Sequence, residues 1–359
     1  MKNKLYGMML FVTGILLLLS CSGSKPAKEN SLPTDESSFS FYYRALSEME
    51  QHRYPAALAL LDSAIAQRPQ FAQFYFAKGE VLNLSGKKKE AIQAYENALL
   101  NKSYYPDVWP VLARLYVKEN QFGKAAQIYK NMVAEYPDSL SLILKLAEAY
   151  LNEGESGTAL NQVNAYVSRS GESPEVSRLK GLAYLQQKNY ERSIEHLQRY
   201  LAQNDTSFRI HKALGIALIE DGKLEKGMTH LNRAYQMNAE DSEIYIYRAI
   251  YFKAQNKPRI AEEQLNLGLK RDSSNYKLYL EKGKLQLEQG DTLLAGQTFR
   301  EALSIQEKCW ECYRFLGIIA DQQGRLRQAL EFLQVYDRHT LQKDPEVEQR
   351  LKRLRKSRQ

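Results

Sequence analysis

Residues 108–138 read VWPVLARLYVKENQFGKAAQIYKNMVAEYPD and contain one complete unit of the chain's design. Trp109, Leu112, Ala113 and Tyr116 recur at the i, i+3, i+4, i+7 spacing that lines one face of a helix. After a break at Asn120 to Lys124, Ala125, Ile128, Tyr129 and Met132 repeat that pattern. Pro137 then stops the second helix, because it has no backbone N–H to donate. Two helices this short cannot bury their apolar faces within a single hairpin, so the pattern has to return along the chain.

It returns every 34 residues. Stepping from Ala113 lands on Ala45, Gly79, Ala147, Gly181, Gly215, Ala249, Gly283 and Gly317. Stepping from Ala125 lands on Ala57, Ala91, Ala159, Ser193, Gly227, Ala261, Ala295 and Ala329. Small residues at every step mark where one helix backbone crosses another closely, since a larger side chain would wedge the pair apart. Four residues before the first column stand Phe41, Tyr75, Trp109, Ile143, Tyr245, Tyr279 and Tyr313, with Ser177 and His211 as departures. Gly86, Gly154, Gly222, Gly290 and Gly324, with Asn120 and Asn256, share the place where a left-handed residue closes the first helix.

The 34-residue period, the W-x-x-L-x-x-x-Y opening and the closing A-x-x-x-Y followed by Pro137 resemble the tetratricopeptide repeat. The resemblance covers nine copies over residues 38–343. It implies an all-α fold, a right-handed superhelical solenoid of about nine helix-turn-helix repeats whose first helices line a concave side. Such a scaffold serves many kinds of protein binding. Beyond the repeats, Asp344-Pro345-Glu346 reads as a helix start, with Val347, Leu351 and Leu354 at helical spacing. Residues 344–359 are therefore expected to form a basic helix and tail that cap the ninth repeat.

The N-terminus has a different logic. Lys2 and Lys4 precede an apolar run from Met8 to Leu19, which ends at Leu18-Leu19-Ser20-Cys21. Twelve apolar residues are short for a permanent span, whereas a small residue directly before Cys suits cleavage and lipid attachment at Cys21. Residues 1–20 thus read as a signal peptide resembling that of bacterial lipoproteins, with Cys21 tied to the membrane by lipid. Residues 21–37 are polar and proline-containing, so they read as a flexible tether. No Asp follows Cys21, which by resemblance to lipoprotein sorting implies the cell envelope, as an outer-membrane lipoprotein facing the periplasm.

The net charge of +8 is not spread along the repeats. Lys2 and Lys4 lie in the leader, and Arg350, Lys352, Arg353, Arg355, Lys356 and Arg358 lie in the tail, so the stretch between carries no net formal charge. Nucleic-acid recognition along the solenoid is not expected.

Chemistry-bearing motifs are sparse. Cys309 and Cys312 form a C-x-x-C compatible with a redox pair, half of a zinc site or a disulfide. Zinc needs two more ligands, and the five histidines form no second cluster. Packing or a simple disulfide on the outer part of the first turn of its helix is the reading adopted. Gly86-Lys87-Lys88-Lys89 lacks the hydroxyl and the glycine spacing of a phosphate loop. With no catalytic motif, cofactor or metal site to name, the chain reads as a binding protein and not an enzyme.

By the resemblance, the second, fifth, ninth and twelfth places of each repeat point into the groove. Repeats four and five supply Leu144, Arg178, Leu182 and Leu185. Repeat six supplies Arg209, Lys212, Ile216 and Ile219, and the next two add Ile246, Ile250, Leu280 and Lys284. Earlier repeats offer Phe39, Tyr42, Phe76, Glu80 and Arg114. An apolar stripe flanked by cations suits an extended or helical peptide with hydrophobic anchors and acidic residues. Those cations are expected to be exposed, so that reversing Arg178, Arg209 and Lys212 leaves folding intact. The function expected is a lipid-anchored scaffold or adaptor in envelope assembly or secretion. The alternative is a redox or metal-linked envelope protein working through Cys309 and Cys312.

Overall fold

The computed structural model describes residues 36–356 apart from 103, 204–205 and 341–342. The expected signal, the expected lipid site at Cys21 and nearly all of the expected tether lie outside the described residues. Nineteen α-helices and no strand occur among the described residues, so the chain is all-α. None of these helices is long and apolar enough to cross a membrane.

The chain divides into two compact units, one ending at Val108 and the other starting at Trp109. The first holds α1 (Glu36–Glu50), α2 (Tyr54–Gln67), α3 (Ala72–Leu84) and α4 (Lys88–Asn101), packed in consecutive pairs. Its core joins Tyr42, Ala45, Leu61, Phe74 and Val81, with Phe39 against both Phe71 and Phe74 at 5.2 and 5.6 Å between ring centroids.

The second unit holds, from its second residue on, α5 (Val108–Lys118) with α6 (Phe122–Glu135), and then α7 (Leu140–Glu153) with α8 (Ser156–Ser170), and α9 (Pro174–Gln186) with α10 (Tyr190–Leu201). Next come α11 (Phe208–Glu220) with α12 (Leu224–Met237) and α13 (Ser242–Ala254) with α14 (Pro258–Arg271). The last pairs are α15 (Tyr276–Glu288) with α16 (Thr292–Ile305) and α17 (Trp310–Gln322) with α18 (Leu326–His339), followed by α19 (Pro345–Lys356). From α7 to α15, each odd-numbered helix also touches the next odd-numbered one. That brings the first helices of successive pairs side by side, as the inner row of a curved stack requires.

The small-residue columns act through one recurring contact. A Cβ at Gly79, Gly181, Gly215, Gly283 or Gly317 would lie 2.5–2.8 Å from a side-chain atom of the residue sixteen positions later: Tyr95, Leu197, Leu231, Phe299 and Leu333 respectively. Those five large side chains are fully buried, and hiding a side chain of this size stabilises by roughly 2 kcal/mol. A β-carbon at the glycine would push each of them out of its seat.

Every turn inside a pair closes in the same way. The five turn glycines have φ between 72 and 93°, and Asn120 and Asn256 stand at 56°. His52 and Lys188, which no sequence pattern singled out, complete the set at 58°. In each turn the following amide donates to the carbonyl five residues back at 2.8–2.9 Å, as from Lys223 to Leu218, which satisfies a carbonyl that the helix end would leave bare.

Both departures from the aromatic column are buried. Ser177 occupies its place as a small side chain, while the His211 ring stacks on His230 with 3.1 Å between the Nδ1 atoms. At the end of the stack, Asp344 Oδ1 accepts from the amides of Glu346 and Val347 at 3.0 and 3.3 Å and so caps α19. Val347, Leu351 and Leu354 are buried against Ala320, Ala329, Leu330 and Leu333.

Candidate functional site: the row of first helices in the second unit

An open cavity of about 1150 Å³ runs along the odd-numbered helices from the end of α7 to the start of α17. The resemblance noted in the sequence put apolar residues on this face, and the helical register brings Leu182 and Leu185 of α9, Ile216 of α11, Ile246 and Ile250 of α13 and Leu280 of α15 together on its wall. Arg209 and Lys212 line it as well. Leu144, Arg178, Ile219 and Lys284 do not. Ile219 is 4% exposed and packs with Ile216 and Leu231 beneath the wall, and Leu144 packs on the core cluster of α7 to α11. The earlier positions are committed elsewhere: Gln73 donates to the Tyr42 hydroxyl at 3.0 Å, Glu80 accepts from Tyr95, and the Arg114 Nε bonds the Pro110 carbonyl at 3.2 Å.

The expectation of exposed cations is corrected here for Arg178 and Lys212 and holds for Arg209. Arg178, with only 12% of its side chain exposed, bridges from α9 back to Glu148 of α7 at 3.0 Å and also holds Glu175 at 2.5 Å. Burial works against its charge, but the Glu175 and Glu148 carboxylates outweigh that and hold its pKa above the usual value. Lys212 of α11 reaches Asp241 and Glu243, at the start of α13, at 2.8 and 2.9 Å, and its pKa is raised by the same balance. Lys284 of α15 pairs with Glu281 at 2.8 Å and with Glu311 of α17 at 3.5 Å. Lys253 of α13 pairs with Glu288 of α15 at 2.9 Å, and Arg314 of α17 with Asp344 at 2.6 Å. These cations therefore join neighbouring repeats.

Arg209 is the exception within the predicted set. Its Nη2 donates to Asn152 Oδ1 at 2.8 Å, and it makes no ion pair among the described residues. Burial and the nearby Arg178 guanidinium lower its pKa, with Glu148 opposing them. The cavity is also lined by groups that the sequence reading left out: Tyr190, Glu220, Glu243, Tyr247 and Glu281. Burial pushes the Tyr247 phenol up, and the carboxylates of Glu220, Glu243 and Glu281 push it the same way. The wall is thus mixed in charge. Reading the carboxylates about one repeat away from each cation would have shown this, because side chains on adjacent first helices meet at that separation.

Cys309 and Cys312 are joined as a disulfide, with their Cα atoms 5.3 Å apart. Neither lies on the outside of its helix. Cys309 is 3% exposed and lines the cavity's far end, and Cys312 is wholly buried in the cluster with Leu280, Ala295 and Phe299. Trp310 between them stacks on His339 at 4.2 Å. Among the described residues no three His, Cys, Asp or Glu side chains converge as a metal ion would need.

Comparison with known proteins places this geometry. A family model described as tetratricopeptide repeat matches residues 42–106, 178–243 and 247–309, and a second model of the same description matches 116–183. Over 111 residues, 31% of this chain, the sequence is 29% identical to a TPR repeat-containing protein of Methanocaldococcus jannaschii, and the match spans only 19% of that protein's length. A tetratricopeptide repeat protein from Parabacteroides merdae superposes with a TM-score of 0.52 at 14% identity, covering 70% of this chain and 99% of that one. The APC/C hetero-tetramer Cut9–Hcn1 gives 0.56 at 12% identity, covering 90% and 78%. At such identities the likeness to the solved structures is one of fold.

Proposed function

The chain belongs to the tetratricopeptide repeat family, and from that premise we propose that it is a non-catalytic scaffold or adaptor, tethered by lipid at Cys21, that holds a peptide segment of a partner protein along α9 to α17. The observation that carries this reading is the open cavity of about 1150 Å³ on the first helices. Its wall alternates aliphatic side chains with tyrosines and charged groups, which suits an extended or helical segment better than a small rigid ligand. The membrane tether is supported by the apolar run to Leu19 and by Ser20-Cys21, and the envelope location by the residues after Cys21.

Site-specific photo-crosslinking in cells tests the cavity. A crosslinker at Leu185 or Ile250 should give a discrete adduct with a partner protein, and one at Leu293, which is 71% exposed on α16, should not. Adducts from Leu293 alone would overturn the reading.

A second reading rests on Cys309, which lines the cavity and is bonded to Cys312. In it the pair exchanges electrons with a bound partner. The burial of both residues opposes this, since exchange needs an accessible sulfur. Thiol titration of the native protein under mild reductant separates the two readings: a pair that resists reduction until the fold melts is structural.

A further inference from the structure

The pairing of cations described above changes what the cavity asks of its occupant. Lys212 is engaged by Asp241 and Glu243, and Lys277 approaches Glu243 at 3.9 Å. Glu220 is left over. It makes no ion pair among the described residues, and its contact is the Tyr190 hydroxyl at 3.5 Å. It is also the last residue of α11, where the helix's own carbonyls already present negative charge and a carboxylate is disfavoured. Beside it on the wall are Tyr247, whose hydroxyl makes no hydrogen bond among the described residues, and Glu281. A cation arriving here would relieve the repulsion at the α11 terminus and meet an electron-rich ring.

Resting on the peptide-binding reading above, we infer that the occupant is a segment with a lysine or arginine side chain set against Glu220 and Tyr247, flanked by apolar side chains that lie on Leu185 and Ile250. The charge at this place argues for a basic side chain: Glu220 has no ion pair among the described residues and Lys212 is already bound by Asp241 and Glu243, while the lining cations that also have none, Lys188, Arg209 and Lys308, stand beyond the end of α9, at the start of α11 and before α17. An aliphatic floor on either side fits a basic residue within an apolar stretch better than a run of basic residues.

The test selects peptides from a random 16-residue phage library on the detergent-solubilised full chain, keeping those that lose binding to the Leu185→Gln/Ile250→Gln double variant. The expected result is enrichment of Lys or Arg next to apolar residues. A synthetic peptide of the selected sequence, followed by fluorescence anisotropy, should lose about tenfold or more in affinity with Glu220→Gln, as loss of a charge-assisted contact implies. It should lose a similar factor when its basic residue becomes norleucine, and Glu220→Gln should melt no lower than wild type. Cavity-dependent peptides that are enriched in Asp or Glu and fail with Arg209→Gln, or that ignore Glu220→Gln, would overturn the inference while leaving the peptide-binding reading standing. If no selected peptide depends on Leu185 and Ile250, that broader reading falls and takes this inference with it.

Discussion

Arg350 of the terminal helix donates from Nη1 to Oδ2 of Asp321 at 2.6 Å, and the Asp321 side chain is only 2% exposed. Arg353 closes on the same carboxylate. Asp321 stands where earlier repeats carry aliphatics such as Ile219, so an apolar seat has become an ionic latch for α19. Asp321→Asn should cost about 3 kcal/mol, the lower end for breaking a buried pair, because Arg353 stays largely in water. Urea unfolding measures this, and faster amide exchange confined to α18 and α19 would show that the damage is local.

Overpacking at a helix crossing should be severe even for one methyl group. At Gly215 a Cβ would lie 2.8 Å from Leu231 Cγ and 3.0 Å from the Leu231 backbone nitrogen, so Gly215→Ala should cost about 1–3 kcal/mol and Gly215→Leu more. Gly157, with nothing within 4 Å of its added Cβ, should instead gain about half a kcal/mol as alanine. Equal melting temperatures for Gly215→Ala and Gly157→Ala would contradict the packing described.

Lys212→Glu should destabilise by roughly 2–4 kcal/mol, because it places a third carboxylate beside Asp241 and Glu243 in a half-buried site. The exposed Lys226→Glu, in the first turn of α12, should stay within about half a kcal/mol. Denaturant midpoints of the two variants decide the matter, and an unshifted Lys212→Glu would mean that the cross-repeat pairs contribute nothing.

Stability should fall as the solution is acidified below neutral, partly through His196. Its ring stacks on Tyr184, its Nδ1 is buried without a partner, and burial holds its pKa below the ordinary 6.5. The unfolded chain therefore takes up this proton near 6.5 while the folded chain resists it, so acidification from pH 7 through 6.5 favours unfolding until the lower folded value is passed. Comparing urea midpoints at pH 7.5 and 5.5 for wild type and His196→Gln should show a smaller drop in the variant.

Cys21→Ala should move the protein from the membrane fraction to the soluble fraction. Retention on membranes without detergent would contradict lipid attachment at Cys21.

The legible part of this fold was the part dictated by steric exclusion. A glycine against Leu231 or Phe299 tolerates little else, so the small columns recur with a fixed period and can be read from one chain. The turn column was legible where glycine or asparagine eased a left-handed backbone, and invisible at His52 and Lys188, where the surrounding turn imposes it. The aliphatic half of the cavity wall was legible through the resemblance, whose groove places recur with the same period. Its electrostatics were not, because the charge of Arg178 or Lys212 says nothing until the carboxylate on the neighbouring repeat is set beside it. The burial of Cys312 escaped because its place near a helix start suggested an outer position.

The cross-repeat ion pairs give the second unit an elasticity that depends on its solvent. Each pair spans one joint between neighbouring first helices, and an array coupled only to nearest neighbours sums small rotations at its joints into a change of width. Raising ionic strength weakens partly exposed joints such as Lys253–Glu288 more than sheltered ones such as Lys212–Asp241, so the stiffness of the inner row varies along its length. A partner that grips several repeats at once works against that stiffness, and the salt in the medium helps to set how far the row must bend to receive it.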